Sequence, residues 1–472
     1  MRSDLIVIGA GPAGAHAALA ASKLGLSVVL VDEQLQAGGQ VWRAPWEASV
    51  HDESQERKAG DQLRSALSSS NISLRYGRTV WSVGGNFRVD AIGADGNETF
   101  EAPRLVSAMG AYERVVPFPG WTLPGVIGLA ASTVILKSHR VIPASPVVVA
   151  GCGPLLFAVS AGIIKAGGRV AAIADLASAR DWLGTAPALA LRPSMMTQGL
   201  QWAAQIAKAR IPVFFQSTVL RAEGHEGLEK VIIGPVSRTG SPKPVSEACF
   251  HASCLIVGHG LVPGADIPRL LRAHIRFDRD LGGHVPVLDS CGRTSIAGLY
   301  ATGDGSGIRG AETAVSHGKL VGLTAAQDAG RPLPSSWKSE VDQAHKKIAH
   351  VRSASIAMAR LMALRPAQVD SIPSETIVCR CEDVTRDEID KAIDCGARDI
   401  NQLKHFTRCG MGPCQGRMCG DVIQELCALK LSIDRQAVGQ WTARPPLRAV
   451  SLSDLIGTFE YDDIPIPNPA PL

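Results

Sequence analysis

The sequence predicts an α/β fold made of two strand–turn–helix–strand units, followed by a small, mostly helical C-terminal domain. Three observations carry this reading. A glycine-rich turn sits between an apolar strand and an Ala-rich helix at the N-terminus (LIVIGAGPAGAHAALAASKLGLSVVLVDE), the same pattern recurs at SPVVVAGCGPLLFAVSAGIIKAGGRVAAIAD, and six of the eleven cysteines fall between Glu375 and Gly420. Two copies of one supersecondary unit mark an internal duplication. A cysteine-dense segment with its own helical pattern marks a separate small domain, which has a thin core and gains from a metal staple.

The 472 residues are enough for two to four domains. With 46% hydrophobic and 19% charged residues and 48 glycines, the composition is that of a globular enzyme rich in tight βα turns. The net charge of +4 is spread without a long Lys/Arg block, which excludes a dedicated nucleic-acid or anionic-membrane surface. No leader pattern precedes the first strand and no apolar run approaches a membrane span, so the expected location is the cytoplasm, without an integral membrane segment. Thiols stay reduced there, and clustered cysteines are metal ligands more often than disulfides.

In the first unit Gly9 permits the turn, Gly11 lets backbone approach a pyrophosphate, and Gly14 lets helix and strand pack closely. Pro12 and Ala13 open the helix, whose free N–H groups and positive dipole end face the phosphates. Asp32 closes the second strand, where a carboxylate accepts from a ribose hydroxyl, with Glu33 as its neighbour in reserve. In the second unit Gly151, Gly153 and Pro154 keep the turn, but Leu156 replaces the third glycine and Ala174 takes the acidic position, with Asp175 one residue late. Leucine there is expected to push the helix from the strand or crowd the pyrophosphate. Three occupancies stay open for this second site: a nicotinamide nucleotide, another adenine nucleotide such as ATP, or none.

TSIAGLYATGDGSGIRGAETAVSHG resembles the second flavin motif of flavoproteins with two dinucleotide-binding domains, the glutathione-reductase-like group. The resemblance implies FAD, with Gly303 and Asp304 at the ribityl and phosphates and a helix starting within Ile308 to Ala314 and including Ala311. In AGGQVWR, Gly39, Gln40 and Trp42 resemble the segment that packs along the same cofactor. Gly110 and Gly258 sit at strand-then-glycine crossovers, Gly110 on the flavin side. Tyr112, Glu113 and Arg114 are candidates for tuning the flavin, or a turn with an internal ion pair. No cysteine precedes Cys152, so the redox pair of disulfide reductases is missing; Cys152, Cys249, Cys254 and Cys291 are expected to be buried structural thiols.

The implied organisation is an FAD-binding domain at 1–117 plus 262–330, an inserted degenerate nucleotide-binding domain at 118–261, a helical linker at 331–372, a cysteine domain at 373–435 and an extended tail at 436–472. Cys-x-Cys and Cys-x4-Cys match structural zinc knuckles poorly. They resemble the bacterioferritin-associated-ferredoxin-like [2Fe-2S] fold, which implies Cys379, Cys381, Cys409 and Cys414 as ligands. Cys419 stays open as a replacement for Cys414, zinc stays open as the metal, and Cys395 and Cys427 are expected to be helix packing.

Taken together, GAGPAG, GGQVWR, GCGPLL, GAYERVVPFPGWTLPGV and NQLKHFTRCGMGPCQGRMCG resemble the large subunit of heteromeric FAD-dependent amine dehydrogenases, the opine oxidase and D-hydroxyproline dehydrogenase type, over essentially the whole chain. The resemblance implies an electron-transfer subunit whose partner, an FAD-containing beta subunit of the D-amino-acid-oxidase type, oxidises a secondary amine or imino acid. A small [2Fe-2S] ferredoxin-like gamma subunit completes some such assemblies. Two other classes remain open: a self-sufficient NAD(P)H-dependent oxidoreductase, and a structural subunit whose cofactors do not turn over.

Overall fold

The computed structural model describes residues 1–45, 54–190, 192–332 and 335–456. Leu5–Ile8 is fully buried and lies at the centre of a five-stranded parallel sheet in the order Leu299–Ala301, Leu105–Ser107, Leu5–Ile8, Val28–Asp32, Ser73–Tyr76. Strands covered on both faces need near-continuous apolar runs, as LIVI and VVLV supply. An antiparallel meander, Thr79–Val83, Arg88–Gly93 and Gly96–Glu101, connects two of these strands.

A second parallel sheet repeats this order as Val126–Gly128, Cys254–Gly258, Val147–Gly151, Val170–Asp175, Val213–Phe215, again with a three-stranded meander, Ser217–Glu223, Lys230–Pro235 and Ala248–His251. The duplication seen in the glycine turns therefore extends to the whole unit. The two units are joined by an antiparallel pair of short strands, Ala111–Glu113 against Leu261–Pro263.

The helix Pro12–Lys23 is crossed by Ala311–Asp328 at backbone contact. A Cβ on Gly318 would stand 2.1 Å from the Ala13 carbonyl oxygen, and one on Gly322 2.2 Å from that of Ala17. Overpacking such a contact costs about 1–3 kcal/mol. Gly318→Ala is therefore expected to lower the unfolding midpoint and the FAD content together, as read by calorimetry and bound-flavin absorbance.

The helix after Asp304 begins at Ala311, within the expected window, because Gly307 (φ +125°) and Gly310 (φ +84°) hold the preceding residues out of the helical region. Within the linker at 331–372 the long helix is Trp337–Leu361. In the small domain, Arg386–Asp394 starts on a Thr385–Glu388 capping box and Ile400–Thr407 is capped by Asp399. The last helix, Gly420–Leu431, starts after Gly416 (φ +78°) has turned the cysteine loop.

The segment after residue 436 is packed rather than extended. Trp441 is buried with Ile389, Leu403, Ile423 and Leu426 in the small-domain core, and Leu447 is buried with the first sheet. Residues 457–472 of the expected tail lie outside the described residues.

Candidate functional site: a glycine cradle joined to a thiol loop

Four segments meet at the C-terminal edge of the first sheet, where open α/β sheets bind their ligands. Gly9 takes φ +103°, and a Cβ on Gly14 would lie 1.9 Å from the Gly9 carbonyl oxygen, so both glycines are sterically required. Pro12 stands at the helix start, followed by Ala13. The loop carrying Gly39, Gln40 and Trp42 folds over this turn: Gly38 N–H donates to the Ala10 carbonyl at 2.9 Å, and a Cβ on Gly39 would reach the Gly11 Cα at 3.0 Å. Gly303 lies against Ala13, and Gly110, whose carbonyl accepts from Gly264 N–H at 2.9 Å, lies against Gly305. The arrangement leaves backbone, not side chains, lining the approach to the helix end.

Asp32 accepts from Ala10 N–H at 2.5 Å and Gln34 N–H at 2.7 Å, one on each carboxylate oxygen, and burial pushes its pKa up. Two of its lone-pair sites are thus spent on the turn, and a ribose hydroxyl would use the others. Glu33 is exposed, with Arg448 at 3.9 Å. Asp304 is half-buried, desolvation raises its pKa, and it accepts from Arg309 and Gly310 N–H at 3.0 and 3.1 Å at the start of the Ala311 helix. Gln40 is exposed and accepts from Arg43, while Trp42 stands edge-on to His16. Sequence reasoning missed Arg64, which donates to the carbonyls of Ala37 and Trp42 at 2.9 and 3.0 Å and holds the covering loop. No motif marks it, because it acts from an amphipathic helix.

The second glycine turn is covered by the chain itself. Leu156 is fully buried in the core with Val149, Ile163 and Ile173 rather than standing over the turn. What stands over the turn is Met362: a Cβ on Gly153 would meet its side chain at 2.7–2.8 Å, and one on Gly260 would meet its carbonyl oxygen at 2.7 Å. Pro154 begins the helix beside it. Both oxygens of Asp175 are engaged, by Ala177 N–H at 2.9 Å and Trp182 Nε1–H at 2.7 Å, and burial pushes its pKa up to about 6.

Five of the six clustered thiols converge. Cys379 is in hydrogen-bond contact with Cys409 and Cys419, and Cys381 with Cys414. The N–H groups of Gly410 and Glu382 are aimed at the Cys379 sulfur and that of Cys414 at Cys381. Contacts from the Cys409 and Cys419 thiols hold the Cys379 thiol far below its usual range. Cys419 was open only as a stand-in for Cys414, yet it stands with Cys409 against Cys379. Among the described residues no three His, Cys, Asp or Glu side chains are set out as a site for a single metal ion. Elsewhere Cys427, Cys152 and Cys254 are buried as expected, but Cys395 and Cys249 are exposed and Cys291 is half-buried: Cys395 caps its helix, and Cys249 lies on an outer meander strand.

Tyr112, Glu113 and Arg114 form no internal ion pair; each reaches a different element. Alternation along the strand turns Glu113 to the face opposite Tyr112 and Arg114. The Tyr112 hydroxyl donates to Asp266, and its ring lies between the guanidinium groups of Arg417 and Arg448, 5.4 and 5.7 Å from its centre. Arg417, three residues after Cys414, also pairs with Asp266 at 3.2 Å. Arg114 is buried and pairs at 2.5 Å with buried Asp421, which Arg435 also holds. The thiol loop is thereby clamped to the strand that begins at Gly110.

Glu113 accepts from Ala130 N–H at 2.7 Å, and burial pushes its pKa up to about 7. A folded pKa above the ordinary glutamate value of 4.5 means the native state binds the extra proton, so stability is full below about pH 4.5 and falls as pH rises through 7. Glu113→Gln is expected to flatten this loss, about 3 kcal/mol at most by linkage, in denaturation curves recorded from pH 5 to 8.

The family described as pyridine nucleotide-disulphide oxidoreductase matches residues 3–318, and the sarcosine oxidase A3 domain matches residues 374–458. An opine oxidase subunit of Rhizobium meliloti is 31% identical over 96% of this chain and 87% of its own length. Hydrogen cyanide synthase subunit HcnB of Pseudomonas protegens is 30% identical over 96% of this chain and 97% of its own. Among solved structures, L-proline dehydrogenase from P. horikoshii shares the fold with a TM-score of 0.71 at 22% identity, over 96% of this chain and 79% of that one. Among the described residues no helix is long and apolar enough to cross a membrane. The chain is a member of the pyridine nucleotide-disulphide oxidoreductase family, an FAD-binding oxidoreductase subunit related along nearly its full length to HcnB and to an opine oxidase subunit.

Proposed function

We propose that this chain is the electron-relay subunit of a heteromeric amine dehydrogenase. FAD would lie on the Gly9–Gly14 turn, with Asp32 at its ribose and Asp304 at the ribityl and phosphates. A [2Fe-2S] cluster would be held by Cys379, Cys381, Cys409 and Cys414, with Cys419 as a fifth thiol in reach. The donor set fits such a group: sulfur alone, met by backbone N–H, suits a soft anionic cluster rather than a hard cation. When bound, the flavin supplies two-electron and the cluster one-electron chemistry. The residues of the chain set the distance between the two sites, through Arg417 on Tyr112 and Asp421 on Arg114.

The observation that carries the reading is this clamp, because it joins the thiol loop to the strand leaving the flavin cradle. The opine oxidase and HcnB relatives support a partner subunit that performs the amine chemistry, here a D-amino-acid-oxidase-like FAD beta subunit that oxidises an opine, D-hydroxyproline or a similar secondary amine; a small [2Fe-2S] gamma subunit is the further expected partner. Met362 over Gly153 speaks against the NAD(P)H-dependent reading. The complex, co-purified with its native partners, is expected to reduce a dye with one of octopine, nopaline, D-hydroxyproline, sarcosine, proline or glycine. NADH mixed anaerobically with the chain is expected to leave the flavin oxidised; rapid bleaching would sink the proposal.

A further inference from the structure

The surface around the thiols differs from the rest of the small domain. From Ile400 to Gly420 the surface carries Lys404, His405 and Arg408 and neither Asp nor Glu, Arg417 being turned inward onto Asp266. Three large apolar side chains remain in solvent there: Phe406 is 53% exposed, Met411 44% and Met418 38%. They are tied to the sulfurs. Met411 N–H donates to the Arg408 carbonyl at 3.0 Å, the next residue, Gly412, lies against the Cys381 Cβ, and Met418 precedes Cys419. Cys381 and Cys414 are half-buried, whereas Cys379, Cys409 and Cys419 are buried, so one edge of the thiol group reaches the surface here. The adjacent Glu382 is paired with Arg408 at 2.8 Å, and exposed Arg380 offsets Asp383 on the other side of Cys381.

We propose that this patch is the docking surface for a small acidic one-electron carrier protein; the proposal rests on the relay reading above and names where its electrons leave. Aromatic, Met and Arg side chains are the residues enriched at interface centres. Electron-transfer encounters use small interfaces, and charge complementarity sets their orientation and rate. A basic patch selects an acidic partner, and one-electron traffic at the thiol edge selects a one-electron carrier. Each pair of electrons leaving flavin reduced as FADH⁻ reduces two carriers and releases one proton as FAD is regenerated.

The test uses the purified complex, its visible spectrum recorded first, then reduced with dithionite and desalted anaerobically. Chemical reduction makes the outcome independent of which amine, if any, drives the complex. Rubredoxin serves as the acidic one-electron probe and cytochrome c as the basic one. The second-order rate with rubredoxin is expected to fall about tenfold between about 50 and about 500 mM salt, and about tenfold in Arg408→Glu at low salt, as for steered association. Met411→Asp, at an exposed position that leaves the Arg408 pair intact, is expected to show the same loss with an unchanged visible spectrum. Cytochrome c is expected to lose none of its rate in either variant. Equal rubredoxin rates in wild type and both variants would overturn the proposal. So would dissociation of the catalytic subunit from both variants, which would make the patch a contact within the complex.

Discussion

Asp421→Ala is expected to destabilise the junction between the flavin cradle and the thiol loop by about 3–5 kcal/mol, the usual cost of removing one member of a buried ion pair. The carboxylate lies between buried Arg114 and Arg435, and its loss leaves Arg114 without a carboxylate and Arg435 with Glu425 alone. Burial alone would raise the Asp421 pKa, but the two arginines outweigh it and hold the group well below the ordinary carboxylate range. With a folded pKa below the unfolded one, the stabilisation is present above about pH 4 and is lost as pH falls further. Calorimetry at pH 7 should show a lower unfolding midpoint for the variant, and the gap between variant and wild type should narrow below pH 4. An unfolding profile that matches wild type at pH 7 would show that the network does not hold the two parts together.

Cys379→Ser and Cys414→Ser are each expected to abolish the cluster's visible absorbance, with iron falling from about two atoms per chain toward none. Cys379 is the thiol on which Cys409 and Cys419 converge, and Cys414 is the partner of Cys381, so each substitution empties one side of the group. FAD content should stay unchanged, because the glycine cradle is built from other segments. Cys395→Ser is the control: this thiol is exposed at a helix end and should leave both cofactors in place. Full iron and sulfide retention in Cys379→Ser would remove that residue from the ligand set.

What could be read from the chain was what backbone geometry imposes locally. Gly9 takes φ +103°, and any side chain on Gly14 would collide with the Gly9 carbonyl five residues back, so their spacing announces the turn without reference to the rest of the fold. In the repeat, Gly151 and Gly153 take φ +139° and +88°, and the glycines announce a turn in the same way. Contacts between distant segments were not legible. Nothing near Gly153 signals that Met362, at the end of a helix beyond the second sheet, covers it. The partners of Tyr112 and Arg114 lie at Asp266 and Asp421, so alternation could place these two side chains on one face, opposite Glu113, but could not say what they meet. Spacing left Cys419 open only as a replacement for Cys414; the loop that Gly416 turns brings it instead to Cys379. Trp441 likewise reads as part of a tail, yet it closes the small-domain core against Gly410, Gly416 and Gly420.

The relay itself is tested most directly by rapid-freeze electron paramagnetic resonance of the intact complex mixed anaerobically with its amine, alongside stopped-flow absorbance at the flavin band. The account predicts that flavin bleaching and the signal of a reduced [2Fe-2S] cluster both develop at least as fast as turnover. A cluster that stays oxidised while the amine is consumed would contradict it.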